Sequence, residues 1–413
     1  MINTLLIAVR HQNNPDFELE VEETVQLIEA CEMTHCMTVI QGMEEKNVAT
    51  YFKSGKLEEL RVHIEAQHID VIVTQDELSP SQHRNLTEIL ETEIVDRTHL
   101  ILLIFEKRAQ SREAKLQVEV ATLQYLLPRT MLTYHSVGRQ RSGGARNKGS
   151  GEQFAELKRR TSKHLLDKAQ EALKAMEIQR ETQRRQRQKN QVFTLALVGY
   201  TNAGKSTLLN ALVSYTGQSD DKKVSMKDRL FETLQTSSRS IILKGQPMIV
   251  TDTVGFVSHL PHGLVKAFRS TLEEVKEADL LIHVVDSSSL LASMQSEITL
   301  STLEEIGAHE QPMITVYNKS DIAISAVPSK ALAISALKGN QLDALVDLIL
   351  IKMNEIQPLF TYLIPYESAQ LLDQLKKETQ VVSVLNTDDG FSVSVRSHEP
   401  MMSLFKYLKN KVA

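Results

Sequence analysis

The sequence predicts an α/β fold. A mostly parallel sheet with helices on both faces forms a central domain, preceded by a small α/β domain and a helical hairpin and followed by a small α+β domain. Three observations carry this. Apolar runs of strand length alternate with amphipathic helical stretches through residues 1–105 and again through 191–357. A glycine loop, GYTNAGKS at Gly199 to Ser206, stands between an apolar strand-like run and a helix-forming segment. Between those two regions the periodicity is helical.

At 413 residues the chain has room for about two to four domains, each with its own core. Hydrophobic residues make up 42% and charged residues 24%, which excludes disordered and fibrous classes. The longest apolar run, Leu100 to Phe105, is too short to span a bilayer. Arg10, Asp16, Glu18 and Glu20 interrupt any signal-like start, so a cytoplasmic protein without a membrane span is expected. Cys31 and Cys36 lack a second Cys/His pair at metal spacing and read as buried free thiols rather than a zinc site.

In chain order, Leu5 to Val9 and Met37 to Ile40 read as strands around a helix carrying Val25, Leu27 and Ile28. Lys56 to Gln67 reads as a helix, Ile69 to Thr74 as a buried strand and Pro80 to Leu90 as a helix capped by Ser79, with Ile94 to Asp96 closing the pattern. From Arg112, the spacing of Leu116, Val120, Leu123 and Leu127 makes one helical stripe, which Pro128 is expected to stop. A second helix from about Glu152 to Lys189 offers Phe154, Leu157, Leu165, Ala172 and Met176 as a matching stripe, giving an antiparallel hairpin over residues 106–190. The joining stretch, residues 136–151, is Gly- and Arg-rich and is expected to be an exposed tip. Residues 139–190 hold 15 Lys+Arg against 6 Asp+Glu, a net +9, so the overall −5 conceals −14 on the rest. Either this is a solvated helical face, or Arg139, Arg141, Arg146 and Lys148 meet a nucleic-acid backbone; their clustering favours the second.

The specific chemistry begins at Phe193 to Val198, a strand-length run entering Gly199, Tyr200, Thr201, Asn202, Ala203, Gly204, Lys205, Ser206 and Thr207. Glycines let successive N–H groups and a helix N-terminus wrap phosphates; Lys205 is placed to reach the β- and γ-phosphates and Ser206 to ligate Mg2+. Met248 to Thr251 ends in DTVG, where Asp252 suits the Mg2+ shell and Gly255 can offer its N–H to a γ-phosphate. Met313 to Tyr317 ends in NKSD, Asn318, Lys319, Ser320 and Asp321. Asn318 and a carboxylate at that spacing can receive the guanine edge, with Asp321 accepting from N1–H and the 2-amino group, donors that adenine lacks. ISALK, with Ser335, Ala336 and Leu337, supplies a fourth strand end and an N–H for guanine O6. These motifs in order define a P-loop GTPase domain. Phe256 follows DTVG where small signalling GTPases place a water-orienting glutamine, so slow intrinsic hydrolysis is expected. A last unit, residues 358–413, reads as β-α-β-β-α with a hairpin turn at NTDDG, Asn386 to Gly390.

Taken together these residues resemble the HflX family of ribosome-associated GTPases over nearly the whole chain. The resemblance is carried by SGKLEEL (Ser54 to Leu60), DELSPSQHRNL (Asp76 to Leu86), DRTHLILLIF (Asp96 to Phe105), REAKLQVEVATLQYLLPR (Arg112 to Arg129), the P-loop, DTVGF and the stretch ending at Asp286. It implies a GTPase that binds the large (50S) ribosomal subunit and its rRNA through the N-terminal domain and stalk. It also implies splitting of stalled or idle ribosomes under stress, hydrolysis stimulated by the ribosome, and a monomer when free. The alternative is a GTP-dependent RNA-binding scaffold of ribosome assembly with only slow hydrolysis. The stalk loop departs from the family pattern at GGARNKGSGEQFAEL, Gly143 to Leu157, and Gly263 stands where Asp is common. Thr233, in FETL, is the expected Mg2+ and γ-phosphate sensor, with Thr236 as the alternative. Asn202 either makes a local turn bond or serves K+ as in potassium-stimulated GTPases.

Overall fold

The computed structural model describes residues 2–11, 14–140, 148–189, 192–217, 237–258, 274–325, 327–329, 331–397 and 409–410. They fall into two compact units, and the long second stalk helix begins in one and ends in the other.

In the first unit, β1 (Asn3–Arg10), α1 (Phe17–Ala30), β2 (Thr34–Gly42), α2 (Ser54–Gln67), β3 (Val71–Thr74), α3 (Pro80–Leu90), β4 (Glu93–Asp96) and α4 (Arg97–Arg108) alternate along the chain. The strands form an all-parallel sheet in the order β2-β1-β3-β4. Parallel strands covered by helices on both faces must be apolar throughout, which is why Leu5, Leu6, Ile7 and Ala8 are all fully buried. Ser79 caps α3 through a capping box, with Gln82 N–H donating to Ser79 Oγ at 3.2 Å and Ser79 N–H to Gln82 Oε1 at 3.0 Å. Cys31 is buried, and burial pushes its thiol up to about 12, but Cys36 is exposed, against expectation. It stands on edge strand β2, which pairs on one side only.

The apolar run from Leu100 to Phe105 lies inside α4, a helix buried nearly all round and capped by Asp96, whose Oδ1 accepts from His99 N–H at 2.8 Å. A helix without a polar face leaves no 3.6-residue signature, so periodicity alone cannot reveal it.

The next helix, α5 (Arg112–Gln140), packs on α3 and α4 and runs straight through Pro128, correcting the expected stop. Proline removes one helical donor, yet the next residue, Arg129, is fastened both within the helix and to residues outside it. Arg129 Nη1 donates to Tyr125 O (3.0 Å), and Nη2 donates to Leu78 O (2.7 Å) and to the fully buried Asp96 Oδ2 (3.1 Å). The guanidinium also lies 3.5 Å from the centre of the Tyr125 ring. The face of α5 turned to the core is Ala114, Gln117, Val118, Ala121 and Tyr125; of the expected stripe only Val120 is buried.

The partner helix α6 runs unbroken from Lys148 to Lys189. Leu157 and Leu165 of its expected stripe are 61% and 42% exposed, and Ala169 is buried instead. Because both helices extend into the expected tip, the connection shrinks to residues 141–147, outside the described residues, as are the side chains of Phe154, Arg139 and Lys148.

The second unit holds two sheets. In the first, β5 (Thr194–Gly199), β6 (Ser237–Leu243), β7 (Gln246–Asp252), β8 (Leu280–Asp286), β9 (Met313–Asn318) and β10 (Leu332–Ala333) stand in the order β10-β9-β8-β5-β7-β6. All pairings are parallel except that of edge strand β6 with β7. Helices α7 (Lys205–Tyr215), α8 (Ala292–Glu305) and α9 (Leu342–Ile356) cover it, and the core gathers Leu195, Leu197, Leu208, Val250, Ile282, Val316 and Leu345. The second sheet is antiparallel, ordered β12-β13-β11-β14 from β11 (Leu359–Ile364), β12 (Gln380–Thr387), β13 (Gly390–Arg396) and β14 (Lys409–Asn410), with α10 (Gln370–Glu378) beside it. The turn falls within Asn386 to Gly390 as the composition predicts, and the expected last helix lies outside the described residues.

Candidate nucleotide site

Four loops of the central sheet leave the C-terminal ends of β5, β7, β9 and β10, where doubly wound sheets bind ligands. The first wraps from Gly199 into α7. Gly204 adopts φ +90°, and a Cβ there would strike Asn318 Nδ2, so both the backbone conformation and the space require glycine. Lys205 is buried and its Nζ donates to Gly199 O (3.0 Å) and Tyr200 O (2.8 Å). Burial pulls its pKa down to about 8, with Asp252 opposing.

Ser206 Oγ donates to Asp252 Oδ2 at 2.6 Å, bringing two hard oxygens together at the foot of the loop, a donor set that fits Mg2+. Gly255 crosses the loop so closely that a Cβ would come within 2.6 Å of Thr201 Cα and 3.0 Å of Lys205 Nζ. The backbone of Phe256 continues the contact: its N–H donates to Gly199 O (3.2 Å) and its carbonyl accepts from Thr201 N–H (2.7 Å). Its side chain is 2% exposed. Phe256 thus ties the segment after β7 to the P-loop and offers no polar group to a water. Asn202 sits at φ +62°, a conformation that asparagine tolerates better than most residues, and its side chain bonds to no described residue; the expected turn bond is absent.

Asn318, 2% exposed, joins three loops: its Nδ2 donates to Ala203 O (2.9 Å) and its Oδ1 accepts from Ala336 N–H (3.0 Å). The Ala336 N–H expected to serve guanine O6 is thus engaged by Asn318, and Leu337 next to it is exposed. The buried Ser335 hydroxyl, then Lys338 at 3.2 Å, hold the Asp321 carboxyl below its usual range, keeping an acceptor ready for a paired N–H donor. Lys319, at φ +62°, pairs with Asp286 at 2.8 Å. A cavity of about 380 Å³ lined by Thr207, Asn210, Ala336 and Leu337 opens between α7 and the loop after β10. Thr233, Thr236 and Gly263 lie outside the described residues.

Sequence reasoning missed Asp286 as the partner of Lys319, and it missed His283, buried on β8, whose pKa falls to about 4 through burial and then through the charge of Lys205. A strand-centre histidine gives no local signal. Strand β6 was also missed, although Lys244-Gly245 between two apolar runs is a hairpin signal.

A glycine loop whose lysine and serine face a strand-end aspartate, joined through one asparagine to a base-side carboxylate, defines a P-loop GTPase, and the molecule binds and hydrolyses GTP. Family models agree segment by segment. Residues 18–106 match a GTP-binding GTPase N-terminal domain, 108–187 a GTP-binding GTPase middle region, and 194–319 a 50S ribosome-binding GTPase domain. The chain belongs to the HflX GTPases. It is 41% identical to GTPase HflX of Caldanaerobacter subterraneus, covering 91% of this chain and 87% of the relative. It is 37% identical to that of Lacrimispora saccharolytica (94% and 92% covered) and 38% to that of Alkalihalophilus pseudofirmus (98% and 90%). Among solved structures, that of the SsGBP and GDP complex matches at 25% identity with a TM-score of 0.48, covering 85% of this chain and 98% of that one. No described helix is long and apolar enough to cross a membrane.

Proposed function

We propose that this GTPase binds the large ribosomal subunit and, in its GTP state, separates the subunits of stalled or idle ribosomes, with hydrolysis stimulated by the ribosome. The observation that carries the reading is the concentration of charge, +9 on residues 139–190 against −14 elsewhere, in a chain whose residues 194–319 match a 50S ribosome-binding GTPase domain. A polyanion met by one arm accounts for both. Residues 1–105 and 106–190 then serve as the ribosome-binding arm, 191–357 as the GTPase domain and 358–413 as an appended domain.

In this reading Lys205 holds the β- and γ-phosphates, while Ser206, Thr233 and the shell around Asp252 hold Mg2+. Gly255 reports the γ-phosphate, and Asn318, Asp321 and the backbone from Ser335 to Leu337 read guanine. The Ser206–Asp252 contact supports the metal assignment, and the bound ion would neutralise charge developing on the phosphates. The buried apolar Phe256 supports dependence on an activator, since no polar group of its side chain orients water. Asn202 is the K+ candidate, and equal turnover in KCl and NaCl would exclude it.

The test is density-gradient sedimentation of ribosomes with GTP, GDP or a nonhydrolysable analogue. The expected result is loss of the intact-ribosome peak with GTP and the analogue but not with GDP. Co-sedimentation with subunits while that peak is undiminished would instead identify an assembly scaffold.

A further inference from the structure

Strands β6 and β7 form a hairpin that in sequence joins the segment carrying Thr233 to the one carrying Gly255, the two residues to which the proposed function gives Mg2+ and γ-phosphate sensing. At one end Ser237 is in register with Asp252, the residue that accepts from Ser206; at the other Leu243 is in register with Gln246. Seven-residue strands span about 20 Å, so the hairpin is a lever from the phosphate end of the site to the far edge of the sheet. Its β6 arm is an edge strand paired only with β7, while β7 also pairs with β5.

The far end is held by strand β13 of the antiparallel sheet. Arg396 closes β13 and is 4% exposed. Its Nε donates to Gln246 Oε1 (2.9 Å), and its Nη1 donates to Asn354 Oδ1 (2.7 Å) and Gln357 O (2.9 Å). Every partner among the described residues is a neutral oxygen, and burial lowers its pKa. Among the described residues no carboxylate pairs with it. A buried guanidinium held by neutral acceptors depends on each of them, so hairpin and C-terminal sheet are held in one arrangement. Lys244, in the hairpin turn, adds an ion pair with Asp347 of α9.

We infer that Arg396 is a positioning residue for GTP turnover: it latches the hairpin to the C-terminal domain, so the placement of that domain and the nucleotide state of the site are coupled. Shifting the hairpin requires Gln246 to leave a buried cation, and any partner moving the C-terminal sheet pulls on the strand that ends at Asp252.

The test uses the full chain and measures affinities for GDP and for a nonhydrolysable GTP analogue, kcat and KM, and thermal unfolding. Gln246→Ala leaves Arg396 its bonds to Asn354 and Gln357, and the protein folded. It should change the analogue-to-GDP affinity ratio by about fivefold or more, a shift at the lower bound of typical couplings, and change kcat more than KM. Arg396→Lys, which keeps the charge but loses the fork, should shift the ratio in the same direction. Gln246→Glu, which keeps an acceptor for the fork, should keep the ratio within about twofold of wild type. A lowered Tm in Gln246→Ala with ratio and kcat unchanged would mean the contact is merely structural and would overturn the inference.

Discussion

Lys205 shows how a single position carries both fold and chemistry. Burial brings its pKa to about 8, and its ammonium is held by two carbonyls of its own loop. Phosphate oxygens favour the charged form, so the pKa rises on nucleotide binding. Below pH 8 the lysine is charged with or without nucleotide and affinity is flat. Above pH 8 the free protein loses the proton, and binding must take one up. GDP affinity is therefore expected to fall between pH 8 and 9, approaching tenfold per unit, with proton uptake at pH 8.5 visible by calorimetry in buffers of different ionisation enthalpy. A pH-independent Kd from 7 to 9 would contradict the assignment. The P-loop residues were legible because a glycine loop between strand and helix is a local pattern. Asn318 was named as a base reader, but its bonds to Ala203 and Ala336 become visible only when β5, β9 and β10 lie side by side.

At the scale of elements, α5 shows a tertiary contact overriding a strong sequence signal. Proline in a helix interior costs about 3 kcal/mol relative to alanine, and Pro128 is exposed, with no packing to offset that. Pro128→Ala is expected to stabilise the protein by up to about that amount. Arg129→Met should cost about 3 to 5 kcal/mol, since it strips the buried Asp96 of its cationic partner. Denaturant unfolding of the two variants should shift in opposite directions; a loss below about 1 kcal/mol for Arg129→Met would show that the guanidinium does not hold this turn. The other elements divide on the same principle. Ser79 and Pro80 announced α3 through local capping chemistry, whereas α4, buried nearly all round, offered an apolar run with no period to read.

At the scale of the molecule, charge separation is the dominant feature. If Arg139, Arg141, Arg146 and Lys148 contact rRNA phosphates, changing all four to Gln should reduce the slope of log K against log salt for large-subunit binding by up to about 3, at roughly 0.7 to 0.9 per contact. Affinity for GDP should be untouched. An unchanged slope would return the segment to a solvated helical face.

The sequence by itself determined the chemistry: the order of the glycine loop, DTVG, NKSD and ISALK names a GTPase because each motif is short, local and set at a strand end. It also determined the charge asymmetry, which is a property of composition along the chain. Only the tertiary structure decided that α5 passes Pro128, that Phe256 is buried with its backbone on the P-loop, and that Arg396 of the last described sheet grips the hairpin leading to Asp252. Each of these depends on partners 33 to 150 residues away in sequence. Such bonds form where folding brings distant donors and acceptors into one dry environment, and a local pattern does not record which of them will meet.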